Sequence, residues 1–590
     1  MKITLDTVYA TIDFEGNEEL QKIVDNELHY KLSVRPDGYQ FTPSFKNHYW
    51  DGYTLFHTVL KDKNIQFPTG LMDQVDDILG NIQNTKNFQY EVIDNRPDQV
   101  MMPEEIPDEI VLLNEKMGTL TLRDYQYDAV VSTITNQTGV LHLATNAGKS
   151  LSAAGIIQQL LPKLEKGERI AFFTHSTAIF NQIHGVLTEA LGMRIGKYGS
   201  GKKDIQKVTV VMVPTVQAAM KIDPEKGVKL TAKERIIKRM AKEIAPKFLA
   251  GINQKMLMKS FVSNFPIKTQ ADTELMAEIT EVIQSSESDA KVKFKLNNYI
   301  AKYKKILETK NHEAFAKHNE AKVFLDSLLV TIYDEAHRIK SDSFYNTALQ
   351  CSNALIKVGL TGSIDPKDVL LIQRMKAIFG TVIARTSNEF LISEGHSAKP
   401  KIVITPAPYV VANGKQMDIT YKKDYMTVYD QGIVNNEYRN TLIAKITEMC
   451  YNDGEGVLLI VNRIEHGNNL GSLLDALNVP FTFVTGEQDS EVREKAFTQM
   501  KQGTLKVMIA TALIDEGVDI SGINSLILCA SGKSFRQVIQ RVGRALRKKM
   551  VGENTTTIYD FADTTNTYLS KHSEARLAVY EEEGFEITKI

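Results

Sequence analysis

The chain has 590 residues, 43% of them apolar and 24% charged, with 70 Lys and Arg against 72 Asp and Glu. That length calls for several domains with full cores, and a near-neutral balance excludes a uniformly basic nucleic-acid-binding chain. No run reaches the roughly eighteen apolar residues of a membrane span, the first residues lack a signal peptide's apolar centre, and Cys351, Cys450 and Cys529 stand far apart. The expected setting is therefore a reducing cytoplasm, with no membrane contact, no Cys-rich zinc site, and cysteines that fill the core.

In chain order, residues 1–110 read as a small α+β N-terminal module. Within it, "DGYQFTPSFKNHYWDGYTLF" concentrates aromatic residues around Trp50, the one tryptophan, with Lys46 and His48 beside it. Such rings suit stacking on bases, and they suit equally a small β-rich core with Trp50 inside. The module closes in "DNRPDQVMMPEEIPDEI", an acidic, proline-bearing linker. The next segment, 111–395, opens with a buried strand, "GVLHLAT", a small-residue turn and a helix, "SLSAAGIIQQLLPKL". A long, mostly helical stretch then occupies about 221–322. Residues 221–320 carry about 20 Lys and Arg against about 13 Asp and Glu, a local basic excess that either clothes a solvated helical face or holds a polyanion. A second apolar strand, Leu328 to Tyr333, ends in Asp334-Glu335-Ala336-His337. Residues 396–590 form a further α/β segment whose tail, "YLSKHSEARLAVYEEEGFEI", reads as a closing helix.

Gly148-Lys149-Ser150 is short enough to recur by chance, so its context carries the argument. A strand, a tight turn and a helix start present backbone N–H groups of Thr145, Asn146, Ala147 and Gly148 to phosphates; Lys149 neutralises them and Ser150 holds Mg²⁺. Leu143 stands where a phosphate loop usually has its first glycine. Asp334 and Glu335, at the carboxyl end of a buried strand, sit where doubly wound sheets place ligands. Asp334 is expected to bind Mg²⁺ and Glu335 to polarise the attacking water, giving an ATP hydrolase. Taken alone, the same acids would suit a helix start.

Asp-Glu-Ala-His after a strand resembles the second motif of superfamily 2 helicases and translocases, a group whose phosphate loop often lacks its first glycine. Further segments resemble that family's motifs in its order. "LRDYQYDAV" is similar to the adenine-side motif, with Arg123, Tyr125 and Gln126. "RIAFFTHSTAIFNQ", with Ser176, and "VTVVMVPTVQAA", with Thr215 and Gln217, resemble segments that touch a nucleic-acid backbone. "GLTGS" at 359–363 is similar to the segment that links hydrolysis to strand movement. In the second half, "GVLLIVNRIEHG" with Arg463 and "FTFVTGE" with Thr485 continue the series. So does "KVMIATALIDEGVDI", which offers Thr511 to nucleic acid and Gly517 and Asp519 to the nucleotide. In "RQVIQRVGRALRK" the resemblance makes Arg544 and Arg547 arginine fingers and Gln540 a positioning group, with Arg541 less defined.

The resemblance implies two tandem RecA-like, doubly wound parallel-sheet domains that close over ATP and Mg²⁺. Phe41, Pro43, Phe45, Trp50, Asp51 and Gly52, with segments at 387–402 and 435–447, are further similar to phage UvsW-type recombination helicases. That likeness implies a substrate of branched DNA (forks, junctions, R-loops, hence RNA–DNA hybrid as well) in recombination, replication or repair, a monomer on DNA, and a host-cell cytoplasm. Two alternatives stay open: a double-stranded DNA translocase subunit of a restriction or remodelling assembly, and an annealing protein regulated by ATP. The insert at 221–322 departs from the family's short connection and is a substrate arm, a partner dock or a spacer.

Overall fold

The computed structural model describes residues 1–590 apart from 116, 250–269, 271–272, 275–276, 278–279, 282–288, 512–522 and 531–554. It divides into two compact units, Met1–Val213 with Ser327–Ile590, and Pro214–Asp326.

The first unit begins with a five-stranded sheet: β1 (Lys2–Leu5), β2 (Tyr9–Asp13), β3 (Thr58–Val59), β4 (Ile65–Pro68) and β5 (Glu91–Asp94), in the order β3-β4-β2-β1-β5. Strand alternation turns Ile3, Leu5, Ala10, Ile12, Ile65 and Phe67 inward. Helices Glu18–Lys31 and Met72–Gln83 cover them with Leu20, Val24, Leu28, Val75, Ile78, Leu79 and Ile82, a spacing of three and four residues that makes one apolar stripe per helix. Trp50 is not in this core. It is half-buried, its indole N–H donating to the Tyr53 carbonyl at 2.7 Å, while Phe41 and Tyr49 beside it are exposed. Gly52 (φ +90°) lets the chain pass where a Cβ would lie 2.5 Å from the Tyr39 ring.

The module is seated on helix Val369–Phe379 of the same unit. A Cβ at Gly70 would lie 2.3 Å from the Lys376 carbonyl oxygen, and the Gln373 amide donates to Leu32 O at 2.7 Å and Gln74 Oε1 at 2.8 Å. A hairpin, β6 (Val111–Asn114) with β7 (Gly118–Thr121), leads into an eight-stranded sheet. Its strands are β8 (Thr138–Leu143), β9 (Arg169–Thr174), β10 (Gly196–Gly199), β11 (Lys202–Asp204), β12 (Val208–Met212), β13 (Leu328–Tyr333), β14 (Ile356–Thr361) and β15 (Val382–Thr386), in the order β11-β10-β12-β9-β13-β14-β8-β15. Every pair is parallel except β10 with β11. Val, Ile, Leu and Phe fill the strands in near-continuous runs, because helices cover both faces.

The third sheet holds β16 (Lys399–Ala407), then, after the hairpin β17 (Val410–Ala412) and β18 (Lys415–Met417), β19 (Val457–Val461), β20 (Thr482–Val484), β21 (Val507–Thr511), β22 (Ser525–Leu528), β23 (Thr555–Asp563) and β24 (Glu586–Lys589). Its order is β20-β21-β19-β22-β23-β16-β24, all parallel. Two doubly wound parallel sheets are the RecA-like architecture expected. The tail differs from its reading as a helix alone: helix Thr567–Glu582 is followed by β24, which adds to the sheet edge beside β16. All three cysteines are buried, as core filling requires.

The second unit is helical in its described part: Ala232–Arg239, Met240–Ile244, Ala245–Leu249, Asp289–Lys310 and His312–Asp326. Thr231 opens the first with a capping box, its hydroxyl accepting from Glu234 N at 3.4 Å while the Glu234 carboxylate accepts from Thr231 N at 2.7 Å. Part of the unit's basic excess is paired internally: Lys310 with Glu234 at 2.7 Å, Lys238 with Glu225 at 2.6 Å, and Lys242 with Glu225. Among the described residues no helix is long and apolar enough to cross a membrane.

Candidate nucleotide site

In a parallel sheet all strands point their carboxyl ends the same way, so the turns after β8, β9, β13 and β14 gather on one edge. These four strands are neighbours in the order β9-β13-β14-β8, though far apart in sequence.

After β8 comes the loop Ala144–Gly148, then helix Lys149–Leu160. Gly148 precedes the helix in the left-handed region (φ +80°), and Asn146 is left-handed too (φ +73°). Such a turn points successive N–H groups into one concavity. Leu143 needs no glycine's freedom. It is the last residue of β8, with its side chain in the core, and its carbonyl accepts from the Lys149 ammonium at 3.2 Å. Gly362, after β14, leaves room beside that amine: a Cβ there would lie 3.2 Å from Lys149 Nζ. Ser150 follows on the first turn of the helix, half-buried, as are Thr145 and Asn146; Ala147 is buried.

Gln126 reaches the loop from helix Asp124–Asn136, but not with a vacant amide. Its Nε2 donates to Ala147 O at 2.8 Å and its Oε1 accepts from Arg123 N at 3.1 Å. One N–H and one lone pair remain of the four bonds an amide can make. The exposed Arg123 donates to the Tyr125 hydroxyl at 2.9 Å, and the Tyr125 ring meets Phe390 edge-on at 5.7 Å and His396 at 6.1 Å.

After β13 comes Asp334, buried, its N–H donating to Phe173 O at 3.0 Å. Burial and the adjoining Glu335 carboxylate hold its carboxyl well above the ordinary range, and the Lys149 ammonium draws it back. Glu335 sits at φ +49°, a left-handed conformation that costs a side-chain-bearing residue energy and that an active site can hold in store. Its carboxylate lies 3.2 Å from His337 Nδ1, which is also 3.1 Å from the Thr361 hydroxyl at the end of β14; that hydroxyl donates to Ser363 O at 3.0 Å. The two segments quoted as "DEAH" and "GLTGS" are thus joined through His337 and Thr361. Sequence reading missed this link, and it missed His142 and His175, half-buried rings on the same edge. Burial pushes each of the two down to about 4, so both are neutral.

Ser176, buried after β9, caps helix Thr177–Leu191 by accepting from Ile179 N at 3.4 Å. Arg463, Thr485 and Thr511 stand at the carboxyl ends of β19, β20 and β21. The Arg463 guanidinium donates to Asp430 at 3.1 Å and lies 5.1 Å from the centre of the Tyr429 ring; Thr485 N donates to Gln488 Oε1 at 3.0 Å. Thr215 and the buried Gln217 lie on helix Val213–Met220 and belong to the second unit. Gly517, Asp519, Gln540, Arg541, Arg544 and Arg547 lie outside the described residues. Among the described residues no group of three His, Cys, Asp or Glu is placed to hold a metal by itself.

Comparison with known proteins shows what these features are similar to. The profile of the type III restriction enzyme res subunit matches residues 119–240, and that of the helicase conserved C-terminal domain matches 439–549. The ATP-dependent DNA helicase UvsW of Enterobacteria phage T4 is 21% identical over 95% of this chain and 94% of its own. A putative DNA 3'-5' helicase Rad25 of Haloarcula marismortui is 26% identical over 37% of this chain and 33% of its own. Among solved structures, T4 UvsW aligns over 100% of this chain and 99% of its own at 17% identity and a TM-score of 0.40. A fragment of a putative HsdR subunit of a type I restriction enzyme from Vibrio vulnificus aligns over 91% and 80% at 12% identity and a TM-score of 0.48. The res-subunit and helicase C-terminal profiles are matched in order and a helicase aligns along nearly the whole length, so the chain is similar to the superfamily 2 helicases and is an ATP-hydrolysing enzyme of helicase type.

Proposed function

We propose that the chain is a Mg²⁺- and ATP-dependent DNA helicase or translocase of phage type that remodels branched DNA in recombination, replication or repair. The observation that carries this reading is the alignment with the phage T4 DNA helicase along 95% of the chain, N-terminal module included, and not along the motor alone.

The residues on the sheet edge suit the chemistry. The N–H groups of Thr145–Gly148 and the helix start hold the phosphates, and Lys149 exchanges the Leu143 carbonyl for a phosphate oxygen. Ser150 and Asp334 are hard oxygen donors, and Asp334, desolvated beside a second carboxyl, is short of positive charge. Both fit Mg²⁺, which when bound neutralises charge on the β- and γ-phosphates. Glu335 orients the attacking water as base, from a backbone held in the left-handed region with its carboxylate beside His337. Gln126 and Arg123 face the adenine, Gln126 with the single donor and acceptor it has left. Gly517, Asp519, Gln540, Arg544 and Arg547 complete the site from the motifs in the chain's second half, with the two arginines as fingers. Ser176, Thr215, Gln217, Arg463, Thr485 and Thr511 contact the DNA backbone.

A second reading, a double-stranded DNA translocase subunit, draws on the res-subunit profile at 119–240. One experiment separates them: ATPase and strand displacement on single-stranded, duplex, forked and RNA–DNA substrates. Highest turnover and strand separation on forks support the helicase. Stimulation by plain duplex without separation supports the translocase, and no response to any DNA ends both.

A further inference from the structure

We propose that His175 is a positioning residue for Glu335, carrying the state of the turn at Ser176 to the carboxylate that orients the attacking water. This rests on the reading of Glu335 as that base.

The placement comes from strand register. β9 and β13 run parallel with Phe173 opposite Tyr333, and the ladder extends one step further, where Asp334 N–H donates to Phe173 O at 3.0 Å. The rings of Phe173 and Tyr333 are stacked, 4.6 Å apart and 12° from coplanar, so they share one face of the sheet. His175 and Glu335 each follow two residues later, just past the carboxyl ends of these neighbouring strands. Their proximity also shows in the charge balance at the imidazole, which the Glu335 carboxylate pulls up and the Arg338 guanidinium pushes down.

The ring is chemically idle where it stands. Both nitrogens of His175 are inaccessible to solvent, and among the described residues neither has a hydrogen-bond partner. An unpaired buried polar group costs about 1–3 kcal/mol. A neutral imidazole carries one N–H and one lone pair, and so can steady a carboxylate and a water together. Ser176, the very next residue, caps helix Thr177–Leu191 and is the backbone contact proposed for DNA. A pull on that turn moves His175 directly, with no intervening side chain. The His337–Thr361 link ties Glu335 to β14, and His175 would tie it to β9, on the other side of β13 in the sheet.

The test uses the full chain with His175→Phe, which keeps a ring and removes both nitrogens, His175→Gln, which keeps a donor and an acceptor, and Glu335→Gln. ATPase is measured with a forked DNA oligonucleotide, alongside thermal unfolding. For His175→Phe we expect kcat to fall about 10–100-fold, less than the ~10²–10⁴ of a base itself. KM for ATP stays within about twofold, and the melting temperature is not lowered, because an unpaired polar group has been removed. His175→Gln restores most of kcat. If His175→Phe turns over within about twofold of wild type while Glu335→Gln is inactive, the inference about His175 fails and the base assignment stands. Equal losses in His175→Phe and His175→Gln together with a lowered melting temperature also overturn it, since they mark a packing role. Near-normal turnover in Glu335→Gln overturns it from the other side, by removing the base on which it rests.

Discussion

The eight-stranded and seven-stranded sheets share an architecture and both bury charge, but they treat it in opposite ways. In the third sheet the buried charges are saturated within the chain. Arg439, fully buried, donates to Asp563 at 2.8 Å and to Cys529 O at 2.7 Å. Arg576 donates to Asp560 at 2.8 Å and to Phe561 O at 2.8 Å, and the Tyr580 hydroxyl also donates to Asp560 at 2.8 Å. At the carboxyl edge of the eight-stranded sheet the buried and half-buried groups keep capacity in hand. Asp334 is raised by burial and a like charge, Lys149 rests on a carbonyl, Glu335 stands on a strained backbone, and His175 bonds to nothing described. A charge whose bonds are completed internally is scaffold. One whose bonds await completion marks where a ligand belongs.

The largest effects should come from breaking the unsaturated side. Glu335→Gln should lower ATP turnover by about 10²–10⁴ while nucleotide affinity is kept, because an amide cannot accept the water's proton. Lys149→Ala should lower turnover and raise KM together. Neither should lower the melting temperature, since each removes a charge the scaffold does not use. Steady-state kinetics beside thermal unfolding checks this, and a large loss of stability in either variant would dissolve the contrast between the sheets.

The saturated side should answer in stability. Arg439→Ala takes from the buried Asp563 its 2.8 Å partner and leaves it Arg576 at 4.0 Å, and is expected to cost about 3–5 kcal/mol. Replacing both partners, Arg439→Met with Asp563→Leu, should cost less than the single change, since no unpaired charge remains. Chemical denaturation measures both. If Arg439→Ala unfolds like wild type, the pair is not scaffold.

Gly148 lies between these extremes. Alanine there adopts φ +80° at a cost of about 1 kcal/mol, and its Cβ would fall 2.3 Å from Gln126 Nε2. Gln126 must then release Ala147 O. The expected result is a KM for ATP raised about tenfold with the fold intact; an unchanged KM would mean that the Gln126 bond does not shape the loop.

What could be read from the residues in advance depended on whether the physics was local. The strand–turn–helix at 138–160 and the Asp-Glu-Ala-His turn after β13 were legible because their elements adjoin in sequence, and so was the doubly wound class. The Phe173–Tyr333 stack, the His337–Thr361 bond and the place of His175 were not, because each depends on β9, β13 and β14 being neighbours, which hydrophobic pattern does not encode. Gln126 was legible as a loop-side amide but not as one half spent on Ala147 and Arg123. β24 escaped notice because "EITK" has too few apolar residues to stand out from a helical tail. Trp50 misled in one of its two readings: a lone tryptophan invites a place in the core, and here a turn carbonyl holds it at the surface.

His466 is the exception that sharpens the comparison, because it is an unsaturated group on the saturated side. It is fully buried on helix Ile464–Ala476. Its Nε2 lies 2.9 Å from Asn440 Oδ1 and so carries the proton, while Nδ1 has no described partner. Burial, with Arg439 nearby, pushes its pKa down to about 3 from an ordinary 6.5. Between those values the unfolded chain binds a proton that the folded chain refuses. The stability tied to His466 is therefore fully present above about pH 6.5 and is lost as pH falls toward 3, at up to about 1.4 kcal/mol per pH unit. His142 and His175, also neutral, add slopes of the same sign at the eight-stranded sheet, so the wild-type curve alone does not isolate His466. The difference does. His466→Gln keeps a donor for Asn440 and cannot titrate, so its unfolding free energy between pH 6.5 and 5 should fall less steeply than that of wild type, by one proton's worth. Parallel curves for the two proteins would show that His466 is protonated alike in both states, and that the third sheet has found it a partner after all.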